Sequence, residues 1–330
     1  MHSQATGSVG KYIVQELLKT GQHTVTAITR GLAEKDTPAG LKIAGVDYNV
    51  EKTLVEALQG QQFLIISLAV TAPPDTQEKL ISAAAKAGVP WVMPNAYSPD
   101  FMDRKFAEEN MTGPRVWAGI ESVEKHKVSS WVGLACGFWY EHSLSVSPAW
   151  YGFDLQNKRV TFYDDGTQPI NTSTSVQCGR AVASLLSLKV LPDDEDDTET
   201  PTLSRWRNKP LYTSSFLVSQ RDMLDSFNRV TGRTDADWQI ESEPASERYN
   251  RGIEIMKGGA RVGFGMAMYA RTFYKSGEGN SEARYGLANE ALGLPKEDLD
   301  EATRRVLKLA ESKTEVSPYA YAKEGDPEKA

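Results

Sequence analysis

Hydrophobic residues in the first 150 positions alternate between helical and strand periodicity. Apolar side chains recur at helical spacing over 9–20, where Gly21 ends the pattern. The β-rich run 24–29 ends at Arg30 and predicts a strand. Strands that alternate with helices in this way indicate a parallel sheet that is covered on both faces. The further elements predicted here are strands at 41–46, 63–68, 90–93 and 130–135, and helices at 50–58, 76–87 and 115–126.

The second half of the chain has a different pattern. The segments 152–155 and 159–163 flank a polar turn and predict a β-hairpin. The run 193–199 is acidic and predicts a solvated loop, and the tail 313–330 is predicted to be flexible because it is rich in Glu, Lys, Pro and Ala. Helices are predicted at about 175–188, from a capping box at 219–222 to before Gly232, at 245–257 and at 261–274.

Composition and charge exclude several classes of protein. The 330 residues carry 37 Lys and Arg against 44 Asp and Glu, a net charge of -7, so no basic surface for nucleic acid is expected. No apolar run reaches the roughly 18–20 residues of a membrane span. Cys136 and Cys178 are too few for a disulfide scaffold or a zinc site, and we expect no bound metal. No secretory signal precedes the first helix, so the cytoplasm is the expected compartment.

The residues before the first helix resemble a dinucleotide-binding loop. In such loops, glycines let the chain turn and approach a pyrophosphate, which the helix N-terminus then binds. The run Gln4-Ala5-Thr6-Gly7-Ser8-Val9-Gly10 has the second and third glycines, whereas Gln4 replaces the first. Only three residues precede this loop, so we expect the first strand to be missing or truncated and the natural product to start upstream.

Arg30 follows the second predicted strand, at the place where a Rossmann fold contacts the ribose of its cofactor. The acidic residue that usually binds a free 2′-hydroxyl is absent there. A guanidinium suits a 2′-phosphate because it makes bidentate, charge-assisted hydrogen bonds. The sequence therefore favours NADP(H) over NAD(H); the alternative is a solvated loop arginine.

Several motifs together resemble the NmrA-like and isoflavone-reductase-like proteins, which are atypical short-chain dehydrogenases. The resemblance covers nearly the whole chain and favours the filamentous-fungal branch. It implies an α/β fold, with a Rossmann-type doubly wound parallel sheet and a smaller α+β C-terminal substrate region. The motifs are 5–10, 23–30, 89–95, 129–131, 137–141, 151–154, 162–166, 170–174, 215–222 and 293–299.

The resemblance also implies which residues contact the cofactor. The phosphate loop would line the pyrophosphate, Arg30 the 2′-phosphate, and Pro94 and Asn95 the nicotinamide. Asp47 also follows a predicted strand, so capping of the next helix is an alternative role. The implied cofactor residues are Thr6, Gly7, Ser8, Val9, Gly10, Arg30, Asp47, Tyr48, Ser67, Leu68, Ala69, Pro94 and Asn95.

The expected catalytic lysine is absent. Reductases of this family usually carry it early on the helix that here begins near Arg115, and they have Glu where this chain has Ala96. The candidates for acid–base work are therefore Tyr140, His142 and Arg115, although packing is the alternative for an aromatic run after a strand. Side chains expected in the substrate pocket are Tyr97, Trp117, Phe138 and Trp139. Trp117 and Trp150 would stack on a flat substrate, or pack in the core.

Two functions fit the sequence. The first is an NADP(H)-dependent oxidoreductase that acts on a hydrophobic, aromatic or alkaloid-like molecule. Secondary metabolite biosynthesis is one option for its role. The second is a non-catalytic NADP-sensing regulator that binds a protein such as a transcription factor, for which a nuclear location is an option. We expect neither nucleic acid nor membrane as a direct partner. The predicted division is 1–150 for the cofactor domain, 151–312 for the substrate region, partly interleaved with the sheet, and 313–330 for the tail.

Overall fold

The centre of the protein is a seven-stranded sheet in which all neighbouring strands are parallel. The computed structural model describes residues 2–3, 9–30, 37–69, 72–194, 197 and 199–312. The strand order is β11-β6-β5-β4-β1-β2-β3. The strands are β1 (His2–Ser3), β2 (Thr26–Thr29), β3 (Lys42–Gly45), β4 (Phe63–Ile66), β5 (Trp91–Met93), β6 (Ser130–Ala135) and β11 (Lys209–Tyr212).

Helices cover both faces of this sheet, as the alternating pattern predicts. On one face α1 packs against α8, and on the other α3 packs between α2 and α5. Strand β4 is buried along its whole length because apolar side chains from both layers contact it. The helices are α1 (Gly10–Thr20), α2 (Glu51–Leu58), α3 (Thr76–Lys86), α4 (Arg104–Glu109), α5 (Gly113–His126) and α8 (Ser175–Ser187).

The first strand is truncated rather than missing. His2 pairs with Ala27 of β2 and with Ile65 of β4, so β1 occupies the central position of the sheet. The expectation of a missing or truncated first strand is therefore confirmed in its second form, since β1 has only two residues. Two neighbouring parallel strands offer backbone groups on both sides, and pairing with them offsets the short length of β1.

The C-terminal region contains two small sheets and most of the remaining helices. One sheet has the order β12-β10-β7, and the other has the order β13-β9-β8. The predicted hairpin is the antiparallel pair β8 and β9. The strands are β7 (Phe138–Trp139), β8 (Phe153–Asp154), β9 (Arg159–Tyr163), β10 (Ile170–Ser173), β12 (Phe216–Val218) and β13 (Gln239–Glu243). The helices are α6 (Tyr140–Val146), α7 (Pro148–Tyr151), α9 (Gln220–Thr231), α10 (Ala245–Lys257), α11 (Val262–Thr272), α12 (Ser281–Tyr285) and α13 (Leu299–Ser312).

The chain returns from this region to the central sheet. Strand β11 lies far along the sequence, yet it pairs in parallel with β6 from Lys209 opposite Val132 to Tyr212 opposite Ala135. The predicted capping box at the start of α9 is present between Ser219 and Asp222. The predicted flexible tail 313–330 and part of the acidic run 193–199 lie outside the described residues.

Candidate functional site

The strand order creates a crevice at the C-terminal edge of the sheet. Strand β1 lies between β4 and β2, so the chain proceeds outward on both sides from this point. Ligands of open α/β sheets bind in such a crevice, beyond the carboxyl ends of the strands. Among the described residues, those that follow β2, β4 and β5 lie at this edge of the sheet. They include six residues for which the sequence predicts cofactor contacts, namely Arg30, Ser67, Leu68, Ala69, Pro94 and Asn95.

The N-terminus of α1 follows directly on the predicted phosphate loop. Thr6, Gly7 and Ser8 lie outside the described residues. Val9 is buried in the core at 2% exposure, and Gly10 is the first residue of α1. No side chain caps this helix among the described residues, and its first turn carries no acidic residue. Its free amide groups and positive dipole end are therefore suited to a phosphate.

Arg30 and Asp47 follow β2 and β3 at the same edge, and both are exposed. Among the described residues, no acidic side chain forms an ion pair with Arg30. Asp47 accepts a hydrogen bond at Oδ1 from the backbone N–H of Asn49 at 2.8 Å. Helix α2 has Val50 at its N-cap without a side-chain cap, so Asp47 does not cap that helix. Tyr48 is half-buried, and its hydroxyl donates to Ile28 O at 3.4 Å.

Asn95 joins the ends of β4 and β5. Its Oδ1 accepts a hydrogen bond from Leu68 N at 3.1 Å, and its Nδ2 donates to Leu68 O at 3.4 Å. The Asn95 backbone N–H donates to Gln77 Oε1 at 2.7 Å. Gly119 on α5 makes room for this glutamine, because a Cβ there would lie 2.7 Å from Gln77 Nε2. Ser67 is buried, and Ala69 is exposed.

Pro94 lies between β5 and Asn95 and is buried. Gln77 is not predicted from the sequence, because nothing in the local pattern of α3 distinguishes this inward-facing amide from a solvated one. Its role depends on a contact with a residue that is 18 positions away.

Tyr97 and Trp139 each carry a buried hydrogen-bond donor without a partner among the described residues. These atoms are Tyr97 Oη and Trp139 Nε1. Burial raises the pKa of Tyr97, and the nearby thiols of Cys136 and Cys178 raise it further. The hydroxyl therefore keeps its proton and remains a donor at any physiological pH.

An aromatic stack extends from β7 to α11. The rings of Phe138 and Tyr269 stack with centroids 3.8 Å apart, and Tyr269 stacks in turn on Trp150 at 5.4 Å. His142 contacts Trp150 at 5.1 Å and Trp139 at 5.8 Å between ring centroids. Of the predicted residues, the structure thus brings together Phe138, Trp139, His142 and Trp150. Tyr269 was missed, since nothing in the sequence shows that α11 packs on β7.

Tyr140 lies next to this stack in the sequence, but its hydroxyl reaches a different part of the molecule. Its Oη lies 2.8 Å from Thr303 Oγ1 on α13, and the side chain is fully buried. Burial raises the pKa of Tyr140. The neighbouring Glu141 pairs with Arg305 of α13 at 3.1 Å. This position supports packing between α6 and α13 rather than the acid–base role expected for Tyr140.

Arg115 and Trp117 lie on the first turns of α5 and are not part of the stack. Arg115 is exposed. Trp117 Nε1 donates to Phe101 O at 2.8 Å, and the guanidinium of Arg104 lies 4.5 Å from the centre of the Trp117 ring. These contacts favour the packing alternative for Trp117.

A surface groove of about 380 Å³ lies along β11, away from the crevice. Its lining includes Trp206, Tyr212 and Tyr285. Of the helices in the described part of the chain, none is long and apolar enough to cross a membrane. In the same residues, no group of at least three His, Cys, Asp or Glu side chains is placed to hold a metal ion.

Comparison with known proteins agrees with this geometry. A sequence model of the family described as NAD(P)H-binding matches residues 5–107, which include all the strand ends from β2 to β5. The oxidoreductase aprR of Aspergillus flavus is 26% identical over 308 residues, which cover 92% of this chain and 97% of aprR.

Solved structures show the same fold. The crystal structure of isoflavone reductase superposes with a TM-score of 0.69 at 17% identity, covering 92% of this chain and 97% of the reductase. The NADPH complex of the Escherichia coli quinone oxidoreductase QOR2 gives a TM-score of 0.65 at 18% identity, covering 93% of this chain and 99% of that one.

These findings define the class of the N-terminal domain and the fold of the chain. Residues 5–107 match the NAD(P)H-binding family model, and the whole chain has a Rossmann-type fold that is shared with solved reductases. In fold the chain is similar to the isoflavone-reductase-like and NmrA-like proteins, which confirms the resemblance found in the sequence. The predicted cofactor class is confirmed as well, because the matched domain is NAD(P)H-binding.

Proposed function

We propose that this protein is an NADP(H)-dependent oxidoreductase that acts on a hydrophobic, aromatic or alkaloid-like small molecule. The observation that carries the proposal is the crevice at β1. There the uncapped N-terminus of α1, the exposed Arg30 and the Asn95 bridge between strand ends lie at one edge of the sheet. NADPH supplies a hydride when it is bound. The residues of this chain bind and orient the reactants, exclude water and supply a proton.

The proposed contacts with the cofactor lie at the ends of the strands of the central sheet. The α1 N-terminus would hold the pyrophosphate, and Arg30 would hold the 2′-phosphate because no acidic side chain in the described residues pairs with it. Asn95 would position the nicotinamide, since its side chain fixes the loop ends of β4 and β5 relative to each other. The remaining proposed contacts are Thr6, Gly7, Ser8, Val9, Gly10, Asp47, Tyr48, Ser67, Leu68, Ala69 and Pro94.

The aromatic stack supports a flat, apolar substrate. Trp139 and His142 are half-buried and therefore retain accessible ring surface, whereas Phe138 and Tyr269 behind them are buried. A flat substrate gains both buried apolar area and ring stacking against such a wall. We assign proton exchange to His142 rather than to Tyr140, whose hydroxyl is engaged by Thr303.

Names of similar proteins support the reaction class. The fungal proteins aprR and poxI, of Penicillium oxalicum, are both named oxidoreductases. The Escherichia coli protein is a quinone oxidoreductase, and 93 residues of this chain are 34% identical to it. We extend the proposal to a role in secondary metabolism in the cytoplasm, with residues 1–150 as the cofactor domain and 151–312 as the substrate region.

The second candidate function is an NADP-sensing regulator that binds a protein partner. Arg115 favours it, because this exposed residue is on the turn of α5 where the resemblance to reductases implies a lysine. A regulator needs only the crevice that binds the cofactor and no catalytic residue. It would bind NADP(H) without turnover.

Measurements of cofactor binding and turnover separate the candidates. The purified protein is titrated with NADP+ by calorimetry and then mixed with NADPH and a panel of quinones, aromatic ketones and imines while absorbance at the nicotinamide band is followed. Binding with oxidation of NADPH by a panel member supports the oxidoreductase. Binding without oxidation, together with capture of a defined protein partner, supports the regulator. Absence of NADP+ binding overturns both.

A further inference from the structure

The four described side chains with a buried, unpartnered polar atom are not equivalent. They are Tyr97, Asn110, Trp139 and Arg248. Asn110 is held through its other polar atom, Oδ1, which accepts from Thr112 N and Oγ1. Arg248 is held through its Nη atoms by Glu243 and by backbone carbonyls. Tyr97 and Trp139 each have only one side-chain polar atom, so that atom alone could anchor the ring.

The chain segments that carry Tyr97 and Trp139 meet beyond the end of β6. Ser98, the residue after Tyr97, bridges to Ala135 at the end of β6, and its carbonyl accepts a hydrogen bond from Cys136 N at 3.1 Å. Trp139 is on β7, three positions after Cys136 in the sequence. Both rings pack against one apolar cluster that includes Val9, from the N-terminus of α1.

We propose that Tyr97 Oη and Trp139 Nε1 donate hydrogen bonds to a carbonyl oxygen of the substrate. Both groups are donors and neither is charged, and the indole N–H has no capacity to accept. Two donors match the two lone pairs of one carbonyl oxygen. The apolar surroundings disfavour a charged group, because burying an unpaired charge costs far more than burying a carbonyl.

This assignment rests on the proposed function and narrows it to flat apolar carbonyl compounds. It also gives a reason for two unpaired donors in the free protein. An unpaired buried donor destabilises the fold. A carbonyl ligand that accepts from it recovers that loss, and a hydrocarbon of the same shape does not. Burial keeps Tyr97 protonated, because it raises the pKa of the hydroxyl.

The test uses 1,4-naphthoquinone as the carbonyl probe and naphthalene as a probe of similar shape without oxygen. Binding of each is measured by calorimetry with saturating NADP+, so that no hydride is available. We expect Tyr97→Phe and Trp139→Phe each to weaken naphthoquinone binding about tenfold, with naphthalene binding changed less than about twofold. The control Tyr249→Phe removes a hydroxyl that donates to Glu109 O, remote from the crevice, and leaves both affinities unchanged.

A second measurement needs no ligand. The Tyr97→Phe variant of the full chain is expected to melt about 2 °C above the unsubstituted protein, because it removes an unpaired buried hydroxyl. A fall in melting temperature would show that the hydroxyl has a structural partner, and would overturn the inference. Failure of the unsubstituted protein to bind naphthoquinone while it binds NADP+, or equal naphthoquinone affinity in all variants, also overturns it. Failure to bind NADP+ is the distinct result that removes the proposed function itself.

Discussion

Polar side chains are paired throughout much of the C-terminal region, whereas several that follow strands of the central sheet are not. In the C-terminal region, Arg271 is only 4% exposed and pairs with Glu109 and Glu278. Beyond the strand ends of the central sheet, Arg30 after β2 is exposed, and the donors of Tyr97 after β5 and Trp139 after β6 are buried without partners in the described structure. Pairing stabilises the fold but occupies the groups, so the unpaired groups are the ones that remain able to bind a ligand.

Arg271 is the strongest test of the paired region. It joins Glu109 of α4, in the predicted cofactor domain, to Glu278 after α11. We expect Arg271→Met to lower the free energy of unfolding by about 3 kcal/mol, because it leaves two carboxylates without their shared cation. Urea unfolding measures this loss, and NADP+ affinity at a temperature where the variant is folded stays unchanged.

The matched control for Arg271 is Arg229→Met. Arg229 pairs with Asp300 at 2.7 Å but is 54% exposed, so its loss should cost at most about 1 kcal/mol. Equal losses of stability in the two variants would contradict the claim that the buried ion pairs of Arg271 stabilise the fold more than the exposed pair of Arg229.

Asn95 tests whether the crevice depends on fixed strand ends. We expect Asn95→Ala to lower the free energy of unfolding by about 1–2 kcal/mol, because the N–H of Leu68 loses its acceptor. NADP+ affinity should fall by about fivefold or more as the loop ends separate. The control is Asn157→Ala, in the exposed β8–β9 turn. Unchanged NADP+ affinity in Asn95→Ala would remove this residue from the proposed cofactor site.

Tyr140 provides a direct contrast with Tyr97, since both hydroxyls are buried. We expect Tyr140→Phe to lower the free energy of unfolding by about 1 kcal/mol, because the hydroxyl contacts Thr303 Oγ1 at 2.8 Å. Tyr97→Phe should instead raise the free energy of unfolding. Thermal and urea unfolding of the two variants measure both changes. If both substitutions destabilise the protein equally, the distinction between paired and unpaired hydroxyls is wrong.

Acid should weaken the paired region over a defined range of pH. Burial alone would raise the pKa of Glu278, but hydrogen bonds from Arg271 and Ser276 lower it to about 2 from 4.5. A lowered pKa means that this carboxylate stabilises the fold fully above pH 4.5 and loses that effect as the pH falls towards about 2. In urea unfolding, the stability difference between the unsubstituted protein and Arg271→Met should therefore shrink over that range. A stability difference that stays constant over this range of pH would contradict the lowered pKa of Glu278.

Local sequence patterns predict most of the central sheet. Strand β6 has the predicted bounds Ser130–Ala135, and α9 begins at the predicted capping box, because periodicity and caps are properties of neighbouring residues. Strand β11 and helix α13 were missed. The first depends on parallel pairing with β6, and the second on packing against α6 and α9, so both depend on residues far away in the sequence.

The candidate site shows the same limit. Asn95 was identified by the motif that surrounds it, while the role of Tyr140 was not predictable from its position after β7. Its hydroxyl partner Thr303 is 163 residues away. The unpaired state of Tyr97 Oη and Trp139 Nε1 is likewise a property of the packed structure, since it depends on everything that surrounds each atom.

Calorimetric titration of NADP+ and NAD+ into the unsubstituted protein and Arg30→Met tests the central claim most directly. We predict that the unsubstituted protein binds NADP+ about tenfold or more tightly than NAD+, because only NADP+ offers Arg30 a 2′-phosphate. Arg30→Met should abolish this preference and leave the free energy of unfolding unchanged, since Arg30 is exposed. Equal affinity for the two cofactors in the unsubstituted protein, or a preference that survives in Arg30→Met, would contradict the account.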